Sequence, residues 1–232
     1  MAENVKVGII GAMDSEVALL KSRVEGARTH ELAGLEFVEG TLGDVDVVVV
    51  KCGVGKVHAA MCAQALVSEL GCNRVVNTGV AGSLDARVDL VVSTDAVEHD
   101  MDVTALGYAP GEHPDLHLVA FEADAALRGA VTEAARGLDG VRVFEGRVCS
   151  GDQFIGSAAA KERIVSTFGG MCCEMEGAAI AHVCHVAGVP FVVVRAISDK
   201  ADDSGDVDYP TFEKAAAAHC AALVLATLPH VA

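Results

Sequence analysis

The sequence predicts a single-domain, three-layer α/β/α sandwich with a central mixed, largely parallel sheet, spanning residues 1–232. Three observations lead there. Short β-branched apolar runs alternate with Ala-rich helical stretches along the chain, which argues for strands covered by crossover helices. The runs are continuous rather than alternating: Val47–Val50 is wholly apolar, and Phe191–Ile197 is apolar on both faces except for Arg195, as strands buried on both sides require. Finally, 52% of the 232 residues are hydrophobic but only 4% aromatic, with no Trp, so the core is built from Val, Ala, Leu and Ile. A chain of this length suits one α/β domain and can bury about 70% of its unfolded surface.

The elements follow in order. Val5–Ile10 reads as a strand and Asp14–Arg23 as a helix. Val45–Lys51 is a strand, and a helix runs from about Val57 to Leu70. Val75–Asn77 reads as a short strand and Leu90–Val97 as another. Ala123–Gly137 is Ala-rich and helical, and Val148–Ser150 is a strand. Glu174–Ala187 is a helix stopped by Gly188, with Pro190 just beyond. Phe191–Ile197 is a strand, and Phe212–Thr227 closes the chain as a helix. The loop from Gly107 to Leu118 is long and rich in Gly and Pro, the kind that is often functional or packed on a partner.

A formal charge of −16, from 17 basic and 33 acidic side chains, disfavours nucleic acid and anionic lipid as partners. No apolar run approaches the roughly 18 residues a membrane span needs. Met1–Val5 is polar and carries no signal peptide pattern. The eight cysteines form no C-x-x-C pair and read as reduced thiols of a cytoplasmic protein, mostly small core residues.

In open α/β sheets, ligands sit beyond the carboxyl ends of strands. Four segments occupy such places: Gly11–Glu16, Asn77–Gly82, Ser150–Ile155 and Arg195–Asp199; a fifth, Glu174–Gly177, opens a helix. Gly8-Ile-Ile-Gly11 lacks the G-x-G-x-x-G spacing of a dinucleotide site. Gly53-Val-Gly-Lys56 is no phosphate loop, because Val50 stands where its first Gly belongs and Val57 where Ser or Thr should follow the Lys. Asn77–Gly82 reads either as a plain turn or as a close backbone approach to a ligand. His182 and His185 are three apart on one helix, but no third ligand at obvious spacing supports a metal pair; helix packing is the simpler reading, and His113 and His117 receive no role. No metal or organic cofactor is implied. The acidic residues carry the chemistry. Asp199 ends an apolar strand, where a carboxylate is costly without a ligand or partner. Glu176 stands at a helix start, where the dipole favours an anion, and Glu16 follows the first strand. Paired carboxylates are what glycosyl transfer uses, one as acid on the leaving group and one as base on water.

Seven stretches, in order over nearly the whole chain, resemble the methylthioadenosine/S-adenosylhomocysteine nucleosidases, which have the nucleoside phosphorylase fold. They are Val7–Met13 with Glu16, Gly53–Val57, Asn77–Gly82, His99–Tyr108, Ser150–Ile155, Glu174–His182 and Val194–Asp199. The resemblance implies hydrolysis of the N-glycosidic bond of 5′-methylthioadenosine and S-adenosylhomocysteine, with 5′-deoxyadenosine as a further substrate. It implies Asp199, helped by Ser198, as the acid at adenine N7, Glu16 as the base on water, and Glu176 on the ribose hydroxyls with Met175 packed on the ribose. Phe154 would stack on adenine, the backbone of Ile155 would read its edge, and Gly82 would border the base and ribose. Met13, Val54 and Tyr209 would line the sugar and alkylthio side, and Arg195 is counted among the substrate-binding residues. The resemblance further implies a homodimer in which a neighbour's loop, carrying Leu106 and Tyr108, closes the 5′ pocket. Val80, Ser83 and Leu106 depart from the common Ser, Gly and Phe of the family. Two neighbouring readings are an aminodeoxyfutalosine nucleosidase and a phosphate-dependent purine nucleoside phosphorylase. Asp14 and Glu16 would repel a phosphate dianion in the latter.

Overall fold

The computed structural model describes residues 4–137 and 141–231. The polar lead-in at residues 1–3 lies outside the described residues, as do residues 138–140 and 232 of the expected domain.

The chain begins with β1 (Lys6–Gly11) and α1 (Asp14–Arg23). An antiparallel hairpin follows, β2 (Glu25–Leu32) and β3 (Leu35–Leu42), then β4 (Val45–Lys51) and α2 (Lys56–Ser68). Next come β5 (Arg74–Ser83), β6 (Leu90–Glu98), the short β7 (Ala120–Glu122) and α3 (Ala125–Ala135). The remainder is β8 (Val143–Ser150), α4 (Ala158–Phe168), β9 (Cys172–Glu174), α5 (Gly177–Ala187), β10 (Phe191–Asp199) and α6 (Gly205–Thr227). Local chemistry sets several ends. Asp124 and Ser157 cap α3 and α4 by accepting from the N–H groups of Leu127 (2.8 Å) and Ala160 (3.3 Å), and α5 ends on Gly188 at φ 67°.

The sheet is mixed. Parallel pairings join β4–β1–β5–β10 and β6–β8–β9. Antiparallel pairings join β10 to β6 and β5 to β9, so β5, β10, β6, β8 and β9 curl into a closed ring. Helices α1, α3 and α6 cover one face through a core that includes Ile9, Leu20, Val192 and Leu223. Helices α2 and α5 cover the other, over Ile10, Val50, Leu66 and Ile180. No described helix is long and apolar enough to cross a membrane.

Three sequence expectations change. Asn77–Gly82 is not a turn after a short strand; it continues β5 to Ser83. Glu174 ends β9, and α5 starts only at Gly177. Helix α6 starts at Gly205, ahead of the expected Phe212. The β2–β3 hairpin and α4 had no sequence reading: β2 is almost wholly exposed, so it shows none of the apolar signal that marks inner strands.

Candidate active site

The ring of strands brings the ends of β1, β9 and β10 against the middle of β5. Gly79 pairs with Arg195 and Gly82 with Asp199 across β5–β10, with an irregularity between Ile197 and Asp199. On the β9 side, Gly82 pairs with Cys173. A cavity of about 480 Å³, counting its open mouth, lies over this junction. Its walls are apolar side chains (Met13, Val54, Val80, Phe154, Met175, Tyr209) and its polar groups are chiefly carboxylates and Ser198.

Glu16 is 3% exposed on the first turn of α1. Its Oε2 accepts from the N–H of Ala12 (2.6 Å) and of Met13 (3.0 Å), and its Oε1 from the N–H of Val80 (2.9 Å). Burial raises its pKa above the ordinary carboxylate value, although Arg195 and these amides pull it down. The carboxylate comes so close to β5 that a Cβ on Gly79 would strike Oε1.

Asp199 is 5% exposed at the end of β10. Oδ2 accepts from the Ser198 hydroxyl (2.9 Å) and Oδ1 from the N–H of Ala201 (2.8 Å). A Cβ on Gly82 would stand 2.8 Å from Asp199 Oδ1 and 2.9 Å from the Ala201 Cβ. Here glycine is required by close approach, since the β5 conformation is ordinary.

Glu176 occupies the N-cap position of α5 without a side-chain capping bond. Its Oε1 accepts from the N–H of Gly55 (2.7 Å), which has φ 100°. Burial, and then the negative charge of Glu174, push its pKa up to about 7. On the apolar side, the Tyr209 hydroxyl donates to Met13 Sδ (3.0 Å), and its ring meets Phe154 edge-on at 5.8 Å.

Glu16, Glu176, Asp199, Met13, Val54, Gly82, Phe154, Met175, Ser198 and Tyr209 therefore line one cavity. Four expected site residues do not. Arg195 is buried behind the wall. Its Nε donates to Glu174 Oε2 (3.1 Å), Nη2 donates to Glu174 Oε2 and to Asn77 Oδ1 (2.6 Å), and Nη1 to the Val194 carbonyl (3.2 Å). This correction has a physical cause: an inward-facing Arg on a buried strand must meet an anion inside the protein. The Ile155 side chain packs into a small core with Val97, Ile164 and Phe168. Leu106 is 76% exposed, and Tyr108 stacks on His117 at 6.4 Å; neither reaches the cavity of its own chain.

Glu174 was missed as a functional residue, although its motif was quoted. It lies under Glu176, accepting from the N–H groups of Glu176 (3.2 Å) and Gly177 (2.8 Å), from Ser150 Oγ and from Arg195. Arg195 and Glu174 are separated by 21 residues, so no local spacing signals the pair. The arrangement offers one carboxylate clamped by three amides, one beside a hydroxyl and one of raised proton affinity, all lining one cavity. These are the parts of an acid–base glycosidic cleavage.

Comparison with known proteins agrees. The phosphorylase superfamily model matches residues 6–229. A 5′-methylthioadenosine/S-adenosylhomocysteine nucleosidase of Geobacillus kaustophilus is 44% identical over 228 residues, 97% of each chain. The crystal structure of the same kind of nucleosidase from Colwellia psychrerythraea, in complex with adenine, superposes with a TM-score of 0.94 at 37% identity, covering 98% of this chain and 96% of that one. A futalosine hydrolase of Helicobacter pylori gives 0.92 at 32% identity, covering 97% and 98%.

Proposed function

The chain belongs to the phosphorylase superfamily and, within it, to the 5′-methylthioadenosine/S-adenosylhomocysteine nucleosidases, and we propose that it hydrolyses both nucleosides to adenine and the free thio-sugar through Asp199, Glu16 and Glu176. The observation that carries this reading is the convergence of three buried carboxylates on one apolar-walled cavity. Adenine leaves poorly as an anion, so Asp199 donates a proton to N7, with Ser198 orienting its carboxyl. The C1′–N9 electron pair departs with the base, and positive charge builds on the ribose. Glu176, once ionised, faces that charge and holds the ribose hydroxyls. Glu16 accepts the proton of the attacking water. The amides of Ala12, Met13 and Val80 hold it in place and leave lone pairs for that role. Acid–base steps typically contribute about 10²–10⁴-fold each. Phe154 and Tyr209, whose rings meet edge-on, supply apolar surface for the base and the thioether side. The apolar side chains of Met13 and Val54 on the cavity wall support 5′-deoxyadenosine as a further substrate.

We assign the whole chain to one nucleosidase domain, a reading supported by the continuous sheet and the 6–229 match. A homodimer in which the loop of Leu106 and Tyr108 covers a neighbour's 5′ pocket is supported by the 76% exposure of Leu106 and by the exposure of other apolar residues, Val57, Met61 and Val186. Cytoplasmic residence is supported by eight free, buried thiols.

Product analysis tests the reaction. Adenine and a reducing methylthioribose are expected from methylthioadenosine at a rate indifferent to added phosphate. A strict requirement for phosphate, with a sugar 1-phosphate product, would overturn hydrolysis. The structure disfavours that outcome: among the described residues, the one guanidinium behind the cavity, Arg195, is already engaged by Glu174 and Asn77. The likeness to the futalosine hydrolase supports a second substrate, aminodeoxyfutalosine, measured by its kcat/KM against methylthioadenosine in the same assay.

A further inference from the structure

Glu98, His113 and His182 meet at a point the nucleoside cavity does not use. Glu98 ends β6, His182 lies on α5, and His113 comes from the loop between β6 and β7. One donor atom from each lies within 4.8 Å of the other two. Glu98 Oε1 is 3.5 Å from His113 Nε2 and 3.5 Å from His182 Nδ1. Both separations are long for hydrogen bonds, and His113 Nε2 is buried with no hydrogen-bond partner. Two ligands held about 2.0–2.1 Å from a tetrahedral ion stand roughly 3.3 Å apart, so these separations suit shared ligation better than direct pairing. The pair visible in the sequence, His182 with His185, is not the one assembled: the His185 ring turns to Phe121, 5.6 Å away.

The surroundings favour a cation. Lys56 Nζ donates to Glu98 Oε2 (2.7 Å) and to Asp100 Oδ1 (2.7 Å), which fixes the far oxygen of Glu98 and leaves Oε1 facing the two imidazoles. Glu98, Asp100 and Lys56 together keep one net negative charge. Competing thiols are withdrawn: all eight are buried.

We propose that Glu98, His113 and His182 form a binding site for a first-row divalent cation of the zinc type, ligated by Glu98 Oε1, His113 Nε2 and His182 Nδ1. Two imidazoles and a carboxylate suit Zn²⁺, Co²⁺ or Ni²⁺ over Mg²⁺ or Ca²⁺. The half-buried His182, 33% exposed at its side chain, gives the ion its entry. The ion takes no part in glycoside cleavage. It fastens the loop between β6 and β7, which carries Leu106 and Tyr108, onto α5, and it stabilises the folded chain by mass action.

The test uses the untagged full-length protein after dialysis against EDTA. Calorimetric titration with Zn²⁺ should give one equivalent per chain, and the melting temperature should rise with Zn²⁺. His113→Ala and His182→Ala should each weaken Zn²⁺ binding at least about a hundredfold, as second-shell changes alone cost 10–100-fold. Each should retain methylthioadenosine hydrolysis as a check on its fold. Co²⁺ should give the visible absorption of a nitrogen/oxygen site without a thiolate charge-transfer band. Substoichiometric binding by the wild type, a thiolate band, or undiminished binding in either variant overturns the site. The wild-type titration and the Co²⁺ spectrum decide the matter even if a variant folds poorly.

Discussion

Replacing Glu176 by Gln should stabilise the protein at alkaline pH and not at acidic pH, while removing most of its activity. Burial and the neighbouring Glu174 raise the Glu176 pKa from 4.5 to about 7. Between those values the native state binds a proton that the unfolded chain does not. By linkage, stability falls as pH rises through that window. The full effect is present below about pH 4.5 and is lost above the native value near 7. At about 1.4 kcal/mol per pH unit, the window corresponds to roughly 3 kcal/mol, an upper figure because the site relaxes around its charge. A glutamine is neutral throughout, and its carbonyl can still accept from the N–H of Gly55, so it avoids this loss. Urea unfolding of both proteins at pH 5 and pH 8 measures the effect. The variant should match the wild type within about 1 kcal/mol at pH 5 and exceed it by about 2–3 kcal/mol at pH 8. In kinetics, the wild-type kcat should rise with pH as Glu176 ionises near 7, and the variant should lack that limb. Equal stability differences at both pH values would refute the account, because they would mean that Glu176 carries no excess proton affinity in the native state.

Two further outcomes address the acid. Asp199→Asn should lower kcat by about 10²–10⁴ while leaving adenine binding by calorimetry within a few-fold; an unchanged kcat removes Asp199 from the acid role. Gly82→Ala should act through the same group, because its Cβ would press on Asp199 Oδ1 and on Ala201. Displacing a packed neighbour costs roughly 1–3 kcal/mol, so kcat should fall about tenfold or more and Tm should drop. Wild-type kcat and Tm together in this variant would show that Asp199 has room to move.

The inner architecture was legible because it is written in local pattern. Asp14–Arg23 and Val45–Lys51 have the bounds read from the sequence, since a continuous apolar run and a helix between polar ends carry their own signal. The carboxylates could be found for a related reason: an Asp closing an apolar strand and a Glu at a helix start stand out against their neighbours. Other features were set by contacts between distant segments. Gly79 and Gly82 read either as a turn or as a close backbone approach; they lie within β5, where Glu16 and Asp199 come too close for any Cβ. Strand β2 is mostly exposed and polar, so the hairpin is placed by the pairing of β3 with β4 and not by the hydrophobicity of β2. Arg195 looked like a substrate contact and is instead the counter-ion of Glu174, because both are buried and neither charge is tolerable alone. Glu98, His113 and His182 were unremarkable one at a time, and only the packing of α5 and the β6–β7 loop against the end of β6 makes them a cluster. The sequence by itself determined which residues would be strand, helix and acid, through short-range pattern and the cost of burying charge. Which of those charges would meet each other was decided only in the tertiary structure, because electrostatic and steric partners are chosen by distance in space.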